Sequence, residues 1–187
     1  MLERKRTRSA GKIVRLSLLV VFVGLMVSVI IVFNKYQNVF NENVDIEDGH
    51  TFIYIPTGST YSEVWENLDE KNILVNKKSF QWVAEKKGYT EHVKPGRYRI
   101  EDGMSNNALV NMLRAGNQEP VMVIFNNLRT LEKLAGKVAK YIEPDSLELR
   151  AHLLDPDLPS KYGFTNETFM AMFIPNTYEM YWSSTPE

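Results

Sequence analysis

The chain has 187 residues, a formal net charge of −1, 44% hydrophobic residues and no cysteine. That length holds one medium domain or two small ones, and the apolar content is that of a folded chain. The lack of cysteine excludes a disulfide-stapled module, a thiol nucleophile and a thiolate zinc site, and the near-neutral charge argues against a nucleic-acid partner.

The charge is not evenly spread. Residues 1–15 hold six of the 22 Lys+Arg (Arg4, Lys5, Arg6, Arg8, Lys12, Arg15) and one of the 23 acids, which leaves 16 basic and 22 acidic residues in 34–187. Between these parts, Leu16 to Phe33 carries no charge, and only Ser17, Gly24 and Ser28 interrupt the apolar run. As a helix its eighteen residues extend about 27 Å, close to the hydrocarbon thickness of a bilayer. A cleaved signal peptide is the rival reading, but its apolar region is usually ~7–15 residues and ends in a small-x-small site. Here the run is longer and leads into Asn34-Lys35-Tyr36-Gln37-Asn38. The sequence therefore predicts a transmembrane helix over 16–33, with the basic segment 1–15 cytoplasmic and residues 34–187 on the far side, in a periplasmic or extracellular space.

Residues 34–50 are polar and lack periodicity, and read as a tether, with order beginning near Thr51. Phe52-Ile53-Tyr54-Ile55 is a strand that ends in a turn at Pro56-Thr57-Gly58. Thr60-x-x-Glu63 has the capping-box form, and Tyr61, Val64, Trp65 and Leu68 fall on one helical face behind it. Asn76 caps a second helix with Phe80, Val83 and Ala84 inward and Gly88 as its stop. After a turn at Lys94-Pro95-Gly96 comes a short strand, Arg97–Ile100. Ser105 then caps a helix that Gly116 closes. Val121–Phe125 is a strand, Thr130 caps a helix through Leu134 and Val138, and Asp145 caps another through Leu149 and Leu153. Asp155-Pro156-Asp157-Leu158-Pro159 is expected to be loop because of its prolines, and Thr165–Met170 a short helical turn. A last strand falls within Phe173–Trp182. The order β-α-α-β-α-β-α-α-β is α+β. A faint repeat at an offset of 70 aligns Ile55 and Thr60 with Phe125 and Thr130; any strand followed by a capped helix looks this way.

Motifs for common chemistries are missing: there is no GxSxG, HExxH, phosphate loop or GxGxxG. His50, His92 and His152 lie far apart, without metal-ligand spacing, so neither a metal nor a cofactor is expected. Carboxylates and hydroxyls are left as reacting groups. The segment Phe173-Ile174-Pro175-Asn176-Thr177-Tyr178-Glu179-Met180-Tyr181-Trp182 sets aromatics around Asn176, Thr177 and Glu179. Aromatic faces beside amide and hydroxyl groups suit a sugar ring, and a carboxyl desolvated against them would hold its proton as a general acid requires. The alternative is a strand whose aromatics point inward while Glu179 is simply solvated.

Four stretches carry a resemblance to a known family. They are Phe52–Thr60 (FIYIPTGST), Lys94–Tyr98 (KPGRY), Leu109–Gly116 (LVNMLRAG) and Ile174–Tyr178 (IPNTY), in that order and behind an N-terminal anchor. The chain resembles the YceG-like family of endolytic murein (peptidoglycan) transglycosylases. The resemblance implies a LysM-like subdomain over 51–119 and, over 120–187, the opening of a mixed α/β catalytic domain that ends short of the family's full length. It implies a single-pass protein of the bacterial inner (plasma) membrane. It further implies cleavage of the MurNAc–GlcNAc bond of nascent glycan strands with a 1,6-anhydro end, and proteins of cell-wall synthesis as partners. The family pattern places its catalytic glutamate five residues before the motif proline, where this chain has Met170 followed by Ala171. Glu179 and Glu167 are the nearest substitutes; Glu179 is the expected catalytic acid, with Asn176, Thr177, Tyr178, Tyr181 and Trp182 binding substrate. An acidic-Gly turn of the family is replaced by Asn127-Leu128. Two other functions remain open: glycan binding without cleavage, and a membrane-tethered scaffold for wall synthesis.

Overall fold

The structure is a computed structural model that describes residues 3–126 and 128–186, with side chains from Val14 onward. The basic side chains of residues 4–12, Asn127 and Glu187 lie outside what is described.

A 38-residue helix, α1 (Glu3–Phe40), opens the chain. Its stretch from Val14 is long and apolar enough to cross a membrane, and none of the most apolar window is covered by the rest of the protein. The helix does not stop where the apolar run stops. It continues through Lys35, Tyr36 and Asn38, so the predicted tether is in part a continuation of the same helix. The next residues are ordered too. Glu42 bridges to Ser105 and Val44 to Leu74, and both Asn43 and Val44 are buried. The absence of periodicity in 34–50 misled the sequence reading, because this segment is held by bonds to residues more than 30 positions away.

The first compact unit follows as β1 (His50–Ile55), α2 (Tyr61–Glu70), α3 (Lys77–Lys86), β2 (Gly96–Glu101) and α4 (Asn106–Ala115). β1 and β2 pair antiparallel, His50 opposite Glu101 and Ile55 opposite Gly96. One sheet face, through Ile53, Ile55, Tyr98 and Ile100, packs on Val64 and Leu68 of α2, Phe80 and Val83 of α3, and Leu109 and Leu113 of α4. Each helix begins where expected. The Thr60 hydroxyl accepts from the Glu63 N–H while the Glu63 carboxylate takes the Thr60 N–H at 2.6 Å. Asn76 and Ser105 cap α3 and α4 with their side-chain oxygens, which accept from the Ser79 and Ala108 N–H groups.

The second unit comprises β3 (Val121–Phe125), α5 (Leu131–Val138), α6 (Ser146–Leu153), α7 (Leu158–Lys161) and β4 (Asn176–Met180). β3 pairs antiparallel with β4, Val121 opposite Met180 and Phe125 opposite Asn176. Both units thus pair their first strand with a later one across intervening helices, but β2 and β4 do not stand 70 residues apart, so the offset holds only for the first strand and the helix cap after it. The prolines were misread in one place: Leu158–Lys161 forms a helical turn with Pro159 in its first positions. There a missing N–H costs nothing, because those N–H groups have no partner inside the helix. The turn expected at Thr165–Met170 is instead a hydroxyl-bonded Thr165–Thr168 turn followed by a 3₁₀ turn, Phe169–Met172.

The units touch through a few specific contacts. Thr57 donates its N–H and hydroxyl to the Glu143 carboxylate, both at 2.6 Å. Arg97 donates to the Pro120 carbonyl at 3.0 Å, and Gln118 exchanges hydrogen bonds with Ser183.

Three tyrosines in the first core make its stability sensitive to alkali. Burial pushes the Tyr98 phenol up to about 12 and raises Tyr89 further, and Tyr61 is raised by burial and by Glu85. Unfolded tyrosines ionise near 10, so the unfolded chain loses these protons first as pH rises. Their contribution is therefore full below about pH 10 and declines between about 10 and 12. Urea midpoints of the detergent-solubilised chain should fall across that interval, and a flat profile would contradict the burial of these phenols.

Candidate functional site

The pleat of β4 divides the expected site into two faces, because successive strand side chains point to opposite sides. Tyr178 lies opposite Val123 and faces inward, stacked on Phe125 with ring centroids 5.0 Å apart and planes at 11°. Its hydroxyl donates to the Ile174 carbonyl at 2.7 Å. It lines an apolar cavity of about 320 Å³ with Leu134, Val138, Ile142 and Met180. Tyr178 is thus a strut of the second core and stands away from Glu179.

Glu179 and Thr177 face outward, opposite Met122 and Ile124. Glu179 is exposed, and among the described residues its carboxylate has neither an ion pair nor a hydrogen bond. The desolvated carboxyl expected from the aromatic segment is therefore not what the free chain presents: Tyr178 faces the core and Trp182 packs on Tyr54. Asn176 is exposed at the strand's start, its side-chain oxygen accepting from the Thr177 N–H. Tyr181 is exposed just past the strand. Trp182 packs edge-on against Tyr54 of the first unit at 5.2 Å, and its carbonyl accepts from the Glu143 N–H, so it serves the junction between units. Met170 is half-buried in the 3₁₀ turn. Glu167, nearby and exposed, has its carboxyl held below the usual range by the Thr165 hydroxyl and its own backbone N–H. Those bonds favour the ionised form, the reverse of what a proton donor needs.

A different set of residues converges where the units meet. Two open clefts flank the Glu119-Pro120 connection. One, of about 580 Å³, is lined by Arg99, Glu101, Met104, Met112, Gln118 and Met122. The other, of about 390 Å³, is lined by Tyr54, Arg97, Lys140, Tyr141 and Met122. Met122 borders both and is the strand partner of Glu179, so the Glu179 carboxylate stands on the sheet face that opens toward the clefts. The guanidinium of Arg97 lies 3.6 Å from the centre of the Phe52 ring, which holds it flat at the cleft wall. Sequence reasoning missed Tyr54, Arg97, Arg99, Lys140 and Tyr141. The one local signal was the alternation Arg97-Tyr98-Arg99, which turns both arginines outward once Tyr98 faces the core. The three histidines sit on separate elements, and among the described residues no three His, Asp or Glu converge on a point.

The sequence profile of the YceG-like family matches residues 53–187, most of the chain and both units from within β1 onward. The chain belongs to the YceG-like family. Among solved structures it is similar to a YceG-like protein from Listeria monocytogenes, 19% identical, with a TM-score of 0.41, covering 70% of this chain and 48% of that one. The chain thus spans about half the length of that relative. Among curated proteins, none matches.

Proposed function

We propose that the chain is a membrane-anchored endolytic peptidoglycan transglycosylase, acting on the MurNAc–GlcNAc bond of nascent glycan strands and leaving a 1,6-anhydro end. The family match over 53–187 carries this reading. The long apolar helix supports the anchor in a bacterial inner membrane with the N-terminus cytoplasmic, and the paired β1–β2 strands with α2 and α3 support a LysM-like glycan-holding unit. Proteins of cell-wall synthesis are the partners this placement suggests.

In this reading a single acid protonates the glycosidic oxygen, and the sugar's own C6 hydroxyl attacks the anomeric carbon, replacing the water and second carboxylate of a hydrolase. Glu179 is the proposed acid. A glycan laid along Met122 and Ile124 would cover it, and removal of water raises a carboxyl toward the range where it can donate. Thr177 on the same face and Tyr181 beyond it would contact the sugar, with Asn176 at the strand end. Tyr178 would act by holding β4 against Phe125.

The exposure of Glu179 and the methionine at position 170 favour a second reading, glycan binding without cleavage. Full-length protein in lipid discs, incubated with purified glycan strands, separates the two. The proposal expects anhydro-ended fragments by mass spectrometry and a loss of about 100-fold or more for Glu179→Gln, the usual contribution of a general acid. Anhydro products at an undiminished rate in Glu179→Gln remove that residue from the role. Glycan captured without products leaves binding alone, and no capture leaves the scaffold.

A further inference from the structure

We infer that the outer side of α3 rests in the lipid headgroup layer, with Lys78 and Lys86 on lipid phosphates and Trp82 at the interface. The inference rests on the reading that residues 16–33 cross a membrane.

Helix α3 starts beside the end of α1: the Asn43 side chain accepts from the Asn76 N–H at 2.7 Å and donates to the Asn76 carbonyl at 3.1 Å. Six residues later, the Trp82 ring lies 5.6 Å from the Lys35 ammonium. Lys35 is only two positions beyond Phe33, the last residue of the uncharged run. Helix α3 therefore runs back along α1 toward the span, and Trp82 is at the depth of the span's outer end. One more turn, about 6 Å, carries Lys86 further in that direction.

Positions 78, 82 and 86 recur every four residues and form one stripe beside α1, while Phe80, Val83 and Ala84 face the core. Lys78 and Lys86 are exposed, and Trp82 is half-exposed. On α1, the Tyr36 and Phe40 rings lie 4.7 Å apart, tilted at 34°, and both are exposed just past the apolar run. The charge fits a phosphate surface. Residues 34–187 carry more acids than bases, yet α3 has Lys77, Lys78 and Lys86 against Glu85 alone. Tryptophan and tyrosine with lysines beside them are the side chains that settle at a membrane interface, where the rings sit among headgroups and the ammonium groups meet phosphate.

The junction is stiff enough to keep this face down. Asn106, buried in α4, donates to the Asn38 carbonyl of α1 and to the Ser79 hydroxyl of α3, both at 2.8 Å, tying three helices at one point.

The chain lacks cysteine, so single nitroxide labels can be placed without altering a native thiol. Full-length Lys86→Cys, Leu147→Cys and Ile30→Cys, labelled and reconstituted in vesicles of mixed phosphatidylcholine and phosphatidylglycerol, report depth through collisions with oxygen and a water-soluble nickel chelate. The expected result is Ile30 in hydrocarbon, Lys86 within about 5–10 Å of the phosphate layer, and Leu147 in water. Ile30 in hydrocarbon with Lys86 as open to nickel as Leu147 overturns the inference and leaves the span intact. Ile30 in water overturns the span itself. A label at Gln81→Cys should become more open to nickel when Lys78→Glu and Lys86→Glu are added, and no change there overturns the role of the lysines.

Discussion

Asn106→Leu should destabilise the first unit by about 3–5 kcal/mol, the largest effect expected of any single polar residue in the chain. Asn106 is 1% exposed and uses its whole amide. Its NH₂ donates to the Asn38 carbonyl and the Ser79 hydroxyl, and its oxygen accepts from the Asn43 side chain at 2.7 Å. Leucine nearly matches asparagine in size, so little of the loss comes from a cavity. It comes from three hydrogen bonds lost at about 1 kcal/mol each and from the Asn38 carbonyl left without a partner, while the Asn43 amide and the Ser79 hydroxyl each keep a bond to the Asn76 carbonyl. The Asn38 carbonyl belongs to the last turn of α1, where carbonyls have no helical donor, so Asn106 also caps α1. Ser79→Ala, which removes one of these partners, should cost only about 1 kcal/mol. Urea unfolding of the solubilised protein reads both. A loss under 1 kcal/mol for Asn106→Leu would mean that water reaches the site, contrary to its burial.

The second large effect is expected of Gly96→Ala, at about 2–4 kcal/mol. Gly96 begins β2 at φ +148°, a backbone region that side chains with a Cβ rarely enter. A Cβ there would fall 2.2 Å from Cδ of Gln118. Gln118 cannot retreat freely, because its amide is engaged with Ser183 of the second unit at 2.9 Å. One methyl group thus strains the strand and pushes apart a contact between the units. The two parts separate in a double-mutant cycle: with Gln118→Ala already present, Gly96→Ala loses its collision and keeps only its backbone strain. The second substitution should then cost at least 1 kcal/mol less than it does alone. Equal costs in both backgrounds would show that Gln118 does not press on Gly96.

Much of the local structure was legible in the amino-acid order. Thr60, Asn76, Ser105, Thr130 and Asp145 each cap the helix they were expected to cap, since a cap depends on residues within one turn. The turn at Lys94-Pro95-Gly96 was legible too, although the reason for its glycine was not, because Gln118 is 22 positions away. Likewise nothing in the composition of 34–50 announces Asn43, whose partners Asn76 and Asn106 arrive only after α3 and α4 have packed.

The site shows the same division. That IPNTYEMYW forms a strand of alternating character could be read directly, and with it the fact that Tyr178 and Glu179 point opposite ways. Which of the two faces is the core depends on β3, whose pairing places Val123 opposite Tyr178 and Met122 opposite Glu179. That register sent Glu179 toward the clefts, and the docking of the two units took Trp182 to Tyr54. By itself the sequence determined the long apolar helix, the caps, the strands and, through its motifs, the family, all of which rest on short-range periodicity or residue order. The tertiary structure decided where α1 ends, which aromatics remain free, and that Lys140, just past α5, joins charged residues of β2 at the clefts. Those outcomes depend on contacts between distant segments, whose free energies exist only once the chain has closed on itself.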